Sequence, residues 1–199
     1  MSKIKVILGS TRQGRFGEQP AKWILEKAKI KGFDVELLDL RDYPLPFFNE
    51  AMSPTMAMGK EGAYPFPISA KWAAKIGEAD GFIFVMPEYN HGYSAVLKNA
   101  IDYVSPEWNK KPAGIVSYGT VGGARATEQL RQVLPELQMT SVRTAVMMIA
   151  PWALPNKDGV TDLSSFDAQG NMMLDQLVWW TEALKVARDK DAASPPQAK

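Results

Sequence analysis

The sequence predicts an α/β fold in which one parallel β-sheet is covered by helices on both faces. Five apolar runs with the length and residue types of buried strands alternate with segments of helical period along the 199 residues. Such an alternation folds through right-handed crossovers, which place parallel strands in one sheet between two helical layers. The hydrophobic fraction of 46% is enough for a full core. We therefore expect a three-layer sandwich with a five-stranded parallel sheet in the order 2-1-3-4-5.

The first half of the chain supplies two strands, one helix and a long irregular segment. Residues 4–8 read as the first strand, a helix follows with Pro20 in its first turn, and Gly32 is its expected stop. Residues 33–40 read as the second strand. The proline-rich arm over residues 41–67 is longer than most loops, so a substrate-side lid and an oligomer contact both remain open.

The second half continues the alternation. We expect Ser69 to cap a helix and Ser94 to begin another. The remaining predicted elements are helix 69–79, strand 81–86, strand 110–117, helix 124–137, strand 141–149 and helix 166–188. We expect one domain over residues 1–188 and a disordered tail over 189–199, where the sequence is polar and contains proline.

Composition excludes several classes of function. The net charge of +1 provides no general field for nucleic acid or a membrane surface. The absence of cysteine removes disulfides, thiolate metal sites and cysteine nucleophiles, and a single histidine, His91, cannot form a multi-histidine metal site. No apolar run approaches the length of a membrane span. We expect a cytoplasmic protein without a metal.

Three unusual loops follow the first, third and fourth predicted strands. They read GSTRQGRFG over residues 9–17, PEYNHG over 87–92 and SYGTVGG over 117–123. Since the carboxyl ends of parallel strands share one edge of a sheet, we expect these loops to meet there, where the flavodoxin-like strand order binds a flavin. The first loop leads into a helix N-terminus, which suits a phosphate, although a polar turn with solvated arginines would look the same. Tyr89 and Tyr118 could bracket a flat ring, and a ring with one phosphate describes flavin mononucleotide, FMN.

The motifs in these loops resemble those of the NADPH-dependent FMN reductase family, flavodoxin-like enzymes that include quinone, azo and chromate reductases. The resemblance covers residues 3–150 and rests on Gly9-Ser10-x-Arg12, on PEYN over 87–90 followed by LKNAID over 97–102, and on Ser117-Tyr118-Gly119 with Gly122-Gly123. It implies cofactor-binding roles for Ser10, Arg12, Arg15, Phe16 and Gly17 at the phosphate, for Pro87, Glu88, Tyr89 and Asn90 at the isoalloxazine, and for Ser117, Gly119 and Gly122 at its other edge.

This chain departs from the family pattern in the first loop. Many members carry Ser and Asn where it has Arg15 and Gly17, so two neutral side-chain donors are missing, and Arg15 could restore a charged one.

The resemblance also implies an activity. NAD(P)H would give hydride to flavin N5 and leave, and a small-molecule acceptor such as a quinone, azo compound, free flavin or metal oxyanion would take its place. We expect no catalytic side chain, no nucleic-acid or membrane partner, and a homodimer or homotetramer. We also hypothesise that Gly122 and Gly123, heading the helix at Ala124, stabilise negative charge near flavin N1. A flavodoxin-like electron carrier and a non-catalytic flavin sensor remain as alternatives.

Several side chains have a functional and a structural interpretation. His91 is a candidate proton donor or a surface residue, and Glu88 a candidate partner of a cation or of the loop backbone. Arg125 could meet a pyridine-nucleotide phosphate. We expect Lys98 and Asp102 to form a helix-surface pair, and Trp179 with Trp180 to serve core and interface.

Overall fold

The computed structural model describes residues 1–57 and 63–193. Its main sheet has the order β2-β1-β3-β4-β5, and β6 also pairs with β4. The strands of this sheet are β1 (Lys3–Leu8), β2 (Asp34–Asp39), β3 (Gly81–Pro87), β4 (Pro112–Gly119), β5 (Thr140–Ser141) and β6 (Val146–Ile149), and every pairing is parallel. The predicted fold class and strand order are confirmed.

Helices cover both faces of the sheet. They are α1 (Glu18–Ile30), α2 (Pro54–Ala57), α3 (Pro67–Gly77), α4 (Ala95–Asp102), α5 (Ala124–Val133) and α6 (Asp167–Ala193). Alternate strand residues face opposite layers: Ile7 packs in the cluster that includes Trp72 of α3, whereas Val6 packs in the cluster that includes Ile24 of α1. The result is the three-layer sandwich, with α3, α4 and α5 on one side and α1 and α6 on the other.

The predicted fifth strand is divided into two pieces. β5 pairs with the beginning of β4 and β6 with its end, while residues 142–145 between them are not in a strand. In this interval the Thr144 amide donates to Gln176 Oε1 of α6 at 3.0 Å, and Gln176 Nε2 returns a bond to Thr144 Oγ1 at 2.8 Å. A side chain of the covering helix therefore replaces the sheet ladder at this point.

Helix ends differ from prediction in three places. Helix α3 begins at Pro67, so Ser69 is not its N-cap, and the Ser69 hydroxyl instead donates to the Phe66 carbonyl at 2.9 Å. Helix α5 ends four residues early because Pro135 lacks the N–H that would continue the ladder. Helix α6 extends to Ala193, five residues past the expected end, and residues 194–199 of the predicted tail lie outside the described residues.

Other expectations about the helices can be compared directly. Gly32, with φ of 87°, follows the C-cap of α1 as predicted. Trp179 and Trp180 are 62% and 37% exposed, so their assignment to the core is wrong, because α6 turns a different face inward. Their role in an interface stays a prediction. No helix in the described ranges is long and apolar enough to cross a membrane.

The first part of the arm that follows β2 is hydrogen-bonded to α4. Asn99 Nδ2 donates to the Pro46 carbonyl at 2.8 Å, and Asn99 Oδ1 accepts from the Phe48 amide at 2.9 Å. The arm then forms the short helix α2, and residues 58–62 lie outside the described residues. Both interpretations of the arm, lid or oligomer contact, stay predictions.

A small antiparallel hairpin precedes α6. Its strands are β7 (Asn156–Lys157) and β8 (Val160–Thr161), in an interval to which no element was assigned from the sequence. A groove of about 770 Å³ separates this hairpin from α1 and has Trp23 and Val160 in its wall. It lies along the outer side of α1, whereas the three predicted loops meet at the carboxyl edge of the sheet.

Candidate cofactor-binding site

The three predicted loops lie together at the carboxyl ends of β1, β3 and β4. The first loop is joined to the second by a hydrogen bond of 2.9 Å between Ser10 Oγ and Tyr89 Oη. The second is joined to the end of β4 by the Glu88 amide, which donates to the Tyr118 carbonyl at 2.9 Å. The predicted convergence of three segments that are distant in sequence is therefore present.

The first loop presents donors for an anion. In the described part of the chain, the N–H groups of Thr11, Gln13 and Gly14 have no protein acceptor. Arg12 is exposed, and its guanidinium makes no ion pair or hydrogen bond with any described residue. Gly14 adopts a φ of 62°, and a Cβ there would meet nothing within 4 Å, so the backbone is open on that side. Free N–H groups beside an unpaired guanidinium fit a phosphate.

Arg15 lies behind this loop, and its side chain is only 2% exposed. It makes a two-pronged contact with the Asp39 carboxylate, donates to the Ser10 carbonyl, and contacts Glu18 Oε1 through Nε at 3.1 Å. The hydrogen bond with Asp39 outweighs burial and raises the pKa of Arg15. Burial raises the pKa of Asp39, but hydrogen bonds from Arg15 and the Arg41 amide hold it below its usual range. These contacts direct the guanidinium away from the loop amides, contrary to the expected phosphate contact.

Phe16 and Gly17 pack on Tyr118 rather than line an open cleft. The rings of Phe16 and Tyr118 lie edge to face with centroids 5.5 Å apart. A Cβ on Gly17 would lie 2.5 Å from Tyr118 Oη, so glycine is required for this close approach. Tyr118 is 5% exposed, and burial raises its pKa. Tyr118 thus supports the first loop from below, and the prediction that it brackets a ring is not reproduced.

The second loop is a tight turn. Pro87 is the buried last residue of β3, and the backbones of Tyr89 and Gly92 exchange hydrogen bonds of 2.8 and 3.0 Å. Asn90 and His91 between them have φ of 49° and 71°, as in a type I′ turn, which asparagine tolerates better than most residues. Tyr89 is 38% exposed and Asn90 is exposed, so both side chains are accessible at the site. The hydrogen-bonded turn holds Tyr89 and Asn90, the two residues predicted to face the ring, in a defined conformation.

Glu88 caps the helix that follows the third loop. Its carboxylate, 5% exposed, accepts from the backbone N–H groups of Arg125 at 3.0 Å and Ala126 at 3.4 Å and forms an ion pair with the Arg125 guanidinium. Arg125 Nη1 also donates to His91 Nε2 at 2.8 Å. Burial raises the pKa of Glu88, but the bonds from Arg125 and the helix outweigh it and lower the pKa overall. Glu88 therefore pairs with a cation, Arg125, and its backbone partners are amides of α5 rather than of its own loop.

This cap contradicts the hypothesis that the N-terminus of α5 stabilises negative charge on a ligand. The first amides of α5 already face the carboxylate of Glu88, which offsets the positive end of the helix dipole. Arg125, expected to be available for a nucleotide phosphate, is held by Glu88 and His91. The pair formed by Lys98 and Asp102, at 2.6 Å and four residues apart on α4, agrees with prediction.

The third loop uses its polar groups internally. Ser117 Oγ is buried, donates to the Gly122 carbonyl at 2.7 Å and accepts from Thr127 Oγ1 at 3.0 Å, so it has no donor left for a ligand. Gly122 and Gly123 have φ of 74° and 75°, and a Cβ on Gly123 would lie 2.6 Å from Ser117 Cβ. A Cβ on Gly119 would lie 3.2 Å from Glu88 Cβ. These glycines serve the packing of the loop, whereas the sequence interpretation placed Gly119 and Gly122 at the edge of the ring.

The sequence interpretation did not include two residues that support the first loop, Asp39 and Arg41. Arg41 donates from Nη2 to the Arg12 carbonyl at 2.7 Å and from Nη1 to Glu18 Oε1 at 3.1 Å. The signal was available, because the strand order 2-1-3-4-5 places the carboxyl end of β2 beside the first loop, and Asp39 is the register partner of Leu8. Charged residues at that strand end therefore reach the loop.

The fold is that of a doubly wound α/β protein, a class that binds mononucleotides at the carboxyl edge of the sheet. The flavoenzyme NAD(P)H:(acceptor) oxidoreductase of Paracoccus denitrificans has the same fold, with a TM-score of 0.67, 22% identity, and coverage of 92% of this chain and 98% of that one. The sequence profile of the NADPH-dependent FMN reductases matches residues 2–153. The chain belongs to this family of oxidoreductases.

Curated relatives agree with this placement. An NAD(P)H-dependent FMN reductase of Schizosaccharomyces pombe is 42% identical over 150 residues, which cover 75% of this chain and 74% of the relative. An NADPH:quinone oxidoreductase of Arabidopsis thaliana is 33% identical over 177 residues, which cover 86% of this chain and 82% of the relative.

Proposed function

We propose that this protein is an NAD(P)H-dependent reductase in which bound FMN accepts hydride at N5 from NAD(P)H and passes it, in ping-pong order, to a small-molecule acceptor. The observation that carries the proposal is the first loop, where free N–H groups and an unpaired arginine converge beside the second loop. Family membership supports the same conclusion.

The residues present fit FMN, which carries one phosphate and one flat ring. The amides of Thr11, Gln13 and Gly14 and the Arg12 guanidinium would hold the phosphate, since they are donors without protein acceptors in the described chain. Tyr89 would contact the ring, while its hydroxyl keeps the hydrogen bond with Ser10 Oγ. These assignments keep Arg12, Tyr89 and Asn90 as ligand contacts and move Arg15, Ser117 and the glycines to supporting roles.

The second loop would set the orientation of the ring. Asn90 and His91 have positive φ and fix the conformation of the turn. The side-chain amide of Asn90 would therefore reach the ring from a defined position. Pro87 anchors the turn at the end of β3. Glu88 is neutralised by Arg125, so the buried carboxylate beside the site adds no net negative charge opposite an electron-rich ring.

The acceptor that we favour is a quinone. Relatives from Arabidopsis thaliana and Solanum tuberosum are named as quinone oxidoreductases, and one from a Burkholderia species as a 2-hydroxy-1,4-benzoquinone reductase. Azo compounds, free flavin and metal oxyanions remain weaker candidates. The cytoplasmic location and the homodimer or homotetramer stay predictions from the sequence.

The decisive experiment is reduction under anaerobic conditions. Purified holoprotein is mixed with NADPH or NADH, and we expect rapid loss of the yellow colour, followed by its return when a benzoquinone is added. An electron carrier or a flavin sensor would bind FMN and keep its colour with both nicotinamides. A chain without affinity for FMN would refute the proposal.

A further inference from the structure

We propose that Arg15 and Arg41, held by Asp39 and Glu18, are positioning residues that turn the carbonyl oxygens of the first loop away from the bound phosphate. The inference rests on the proposed function, because it concerns the loop that would hold the phosphate of FMN. It assigns a cofactor-related role to the end of β2, a segment distant from the loop in sequence.

The contacts form a continuous series along the loop backbone. Four consecutive carbonyl oxygens each accept a hydrogen bond from a side chain: Gly9 from Ser94 Oγ, Ser10 from Arg15 Nη1, Thr11 from Arg41 Nε at 3.5 Å, and Arg12 from Arg41 Nη2 at 2.7 Å. A loop that leads into a helix would otherwise be free to present any of these oxygens to the ligand, where they would repel a phosphate.

Peptide geometry converts this arrangement into a donor site. In a planar trans peptide the carbonyl of one residue and the N–H of the next point in opposite directions. Fixing the Ser10 carbonyl therefore aims the Thr11 N–H the other way, and fixing the Arg12 carbonyl does the same for the Gln13 N–H. These are two of the N–H groups that have no acceptor in the described chain.

Charge shows that the two arginines act through geometry. Arg15 faces Asp39, and Arg41 lies 3.1 Å from Glu18, so two cations and two carboxylates cancel behind the loop. The unpaired cation of the loop is Arg12, with no ionic partner among the described residues. Arg12 would thus supply charge to the phosphate, while Arg41 supplies the direction of the amides.

The test compares FMN with riboflavin, which lacks the phosphate. Flavin fluorescence gives the dissociation constants of both for the flavin-free full chain, and the ratio riboflavin to FMN measures the contribution of the phosphate. We expect Arg41→Ala to lower this ratio about tenfold, the value of roughly one charge-assisted hydrogen bond, and to leave riboflavin affinity within about twofold. Arg41 is chosen because its side chain is 38% exposed, whereas Arg15→Ala would leave Asp39 buried without its partner.

Three further variants separate geometry from charge. Arg41→Lys should not fully restore the ratio, because an ammonium group lacks the forked geometry with which the guanidinium reaches both carbonyls and Glu18 at once. Arg12→Ala should lower the ratio by an amount that shrinks as salt rises. Arg41→Ala leaves Glu18 without this partner, so part of its loss also depends on salt, and the loss that persists at high salt measures the geometry. Lys31→Ala, at the opposite end of α1 and paired with Asp175, is the matched control and should leave the ratio unchanged.

Several outcomes would overturn the inference. An unchanged ratio in Arg41→Ala, full recovery in Arg41→Lys, or a loss in Arg41→Ala that disappears at high salt would each show that Arg41 does not act by directing the loop amides. A wild-type chain that binds FMN no tighter than riboflavin would instead refute the proposed function. Thermal unfolding of each flavin-free variant shows whether its fold is retained.

Discussion

Replacing Glu88 with glutamine should destabilise the protein through the junction between the second loop and α5. The carboxylate accepts two backbone amides of α5 and forms an ion pair with Arg125. Glutamine can still accept these amides, but replacing charge-assisted hydrogen bonds with neutral ones costs about 1 kcal/mol. Loss of a negative charge at the helix N-terminus costs about 0.5 kcal/mol, and loss of an ion pair with the half-exposed Arg125 about 0.5 kcal/mol. We expect Glu88→Gln to lower the free energy of unfolding by about 2 kcal/mol at pH 7.

The pH dependence provides a second criterion. The folded state lowers the pKa of Glu88 from its ordinary value of 4.5, although burial alone would raise it. The stabilisation is therefore complete above about pH 4.5 and is lost as the pH falls through the lower folded pKa. The difference in unfolding free energy between wild type and Glu88→Gln should shrink as the pH falls from 4.5 towards 3.

The measurement is urea unfolding of the flavin-free full chain, followed by tryptophan fluorescence. The melting temperature should also fall by roughly 4–8 °C, given the size of the chain. Asp102→Asn, which makes the same change in an exposed pair on α4, should cost less than about 0.5 kcal/mol. A Glu88→Gln variant as stable as the Asp102→Asn control, or a difference that ignores pH, would refute the reasoning.

Three other predictions concern Gly123, Lys111 and Tyr89. Gly123→Ala should cost about 3 kcal/mol in unfolding free energy, because its Cβ would lie 2.6 Å from Ser117, whereas Gly14→Ala, with open space, should cost about 1 kcal/mol; equal losses in urea unfolding would contradict this. Burial, reinforced by a nearby cation, lowers the pKa of Lys111 to about 8, so wild type should gain stability relative to Lys111→Met between about pH 8 and 10.5, by up to about 3 kcal/mol; a flat difference would contradict it. Tyr89→Phe removes a neutral bond to the first loop and should weaken FMN binding by about fivefold or less in a fluorescence titration; a loss above a hundredfold would show a further role.

The architecture was predictable because it depends on patterns that are local or repeated. The unbroken apolar run of β3 and the alternation of strand and helix fixed a parallel sheet, and parallel strands bring their following loops to one edge. The meeting of the first two loops, seen in the bond between Ser10 and Tyr89, follows from that topology alone.

The orientation of individual side chains was not predictable in the same way. Arg15 turns to Asp39, which lies 24 residues further along the chain, and no local pattern reveals that partner. The resemblance to the family placed Ser117 at the edge of the ring, yet its hydrogen-bond acceptor and its donor both come from the following turn and helix. Residues of a loop motif can therefore be separated into ligand contacts and supporting residues only when the positions of the neighbouring strand ends are known.

The predicted boundaries of helices and strands were wrong where one residue determines them. Helix α3 begins at Pro67, because a residue without an N–H suits the first turn. The prediction placed the N-cap at the polar Ser69, two residues later. The fifth strand was interrupted by Gln176, a residue of α6 that the apolar pattern of the strand does not reveal.

The interrupted strand also limits how the molecule can associate. A sheet grows when an incoming chain finds a long row of unpaired amides and carbonyls at its margin. Here one margin consists of pieces of two and four residues, β5 and β6, and the other, β2, carries the charges of Asp34 and Glu36. The first margin offers no continuous template, and charged side chains flank the second, so both disfavour growth of the sheet by an added strand.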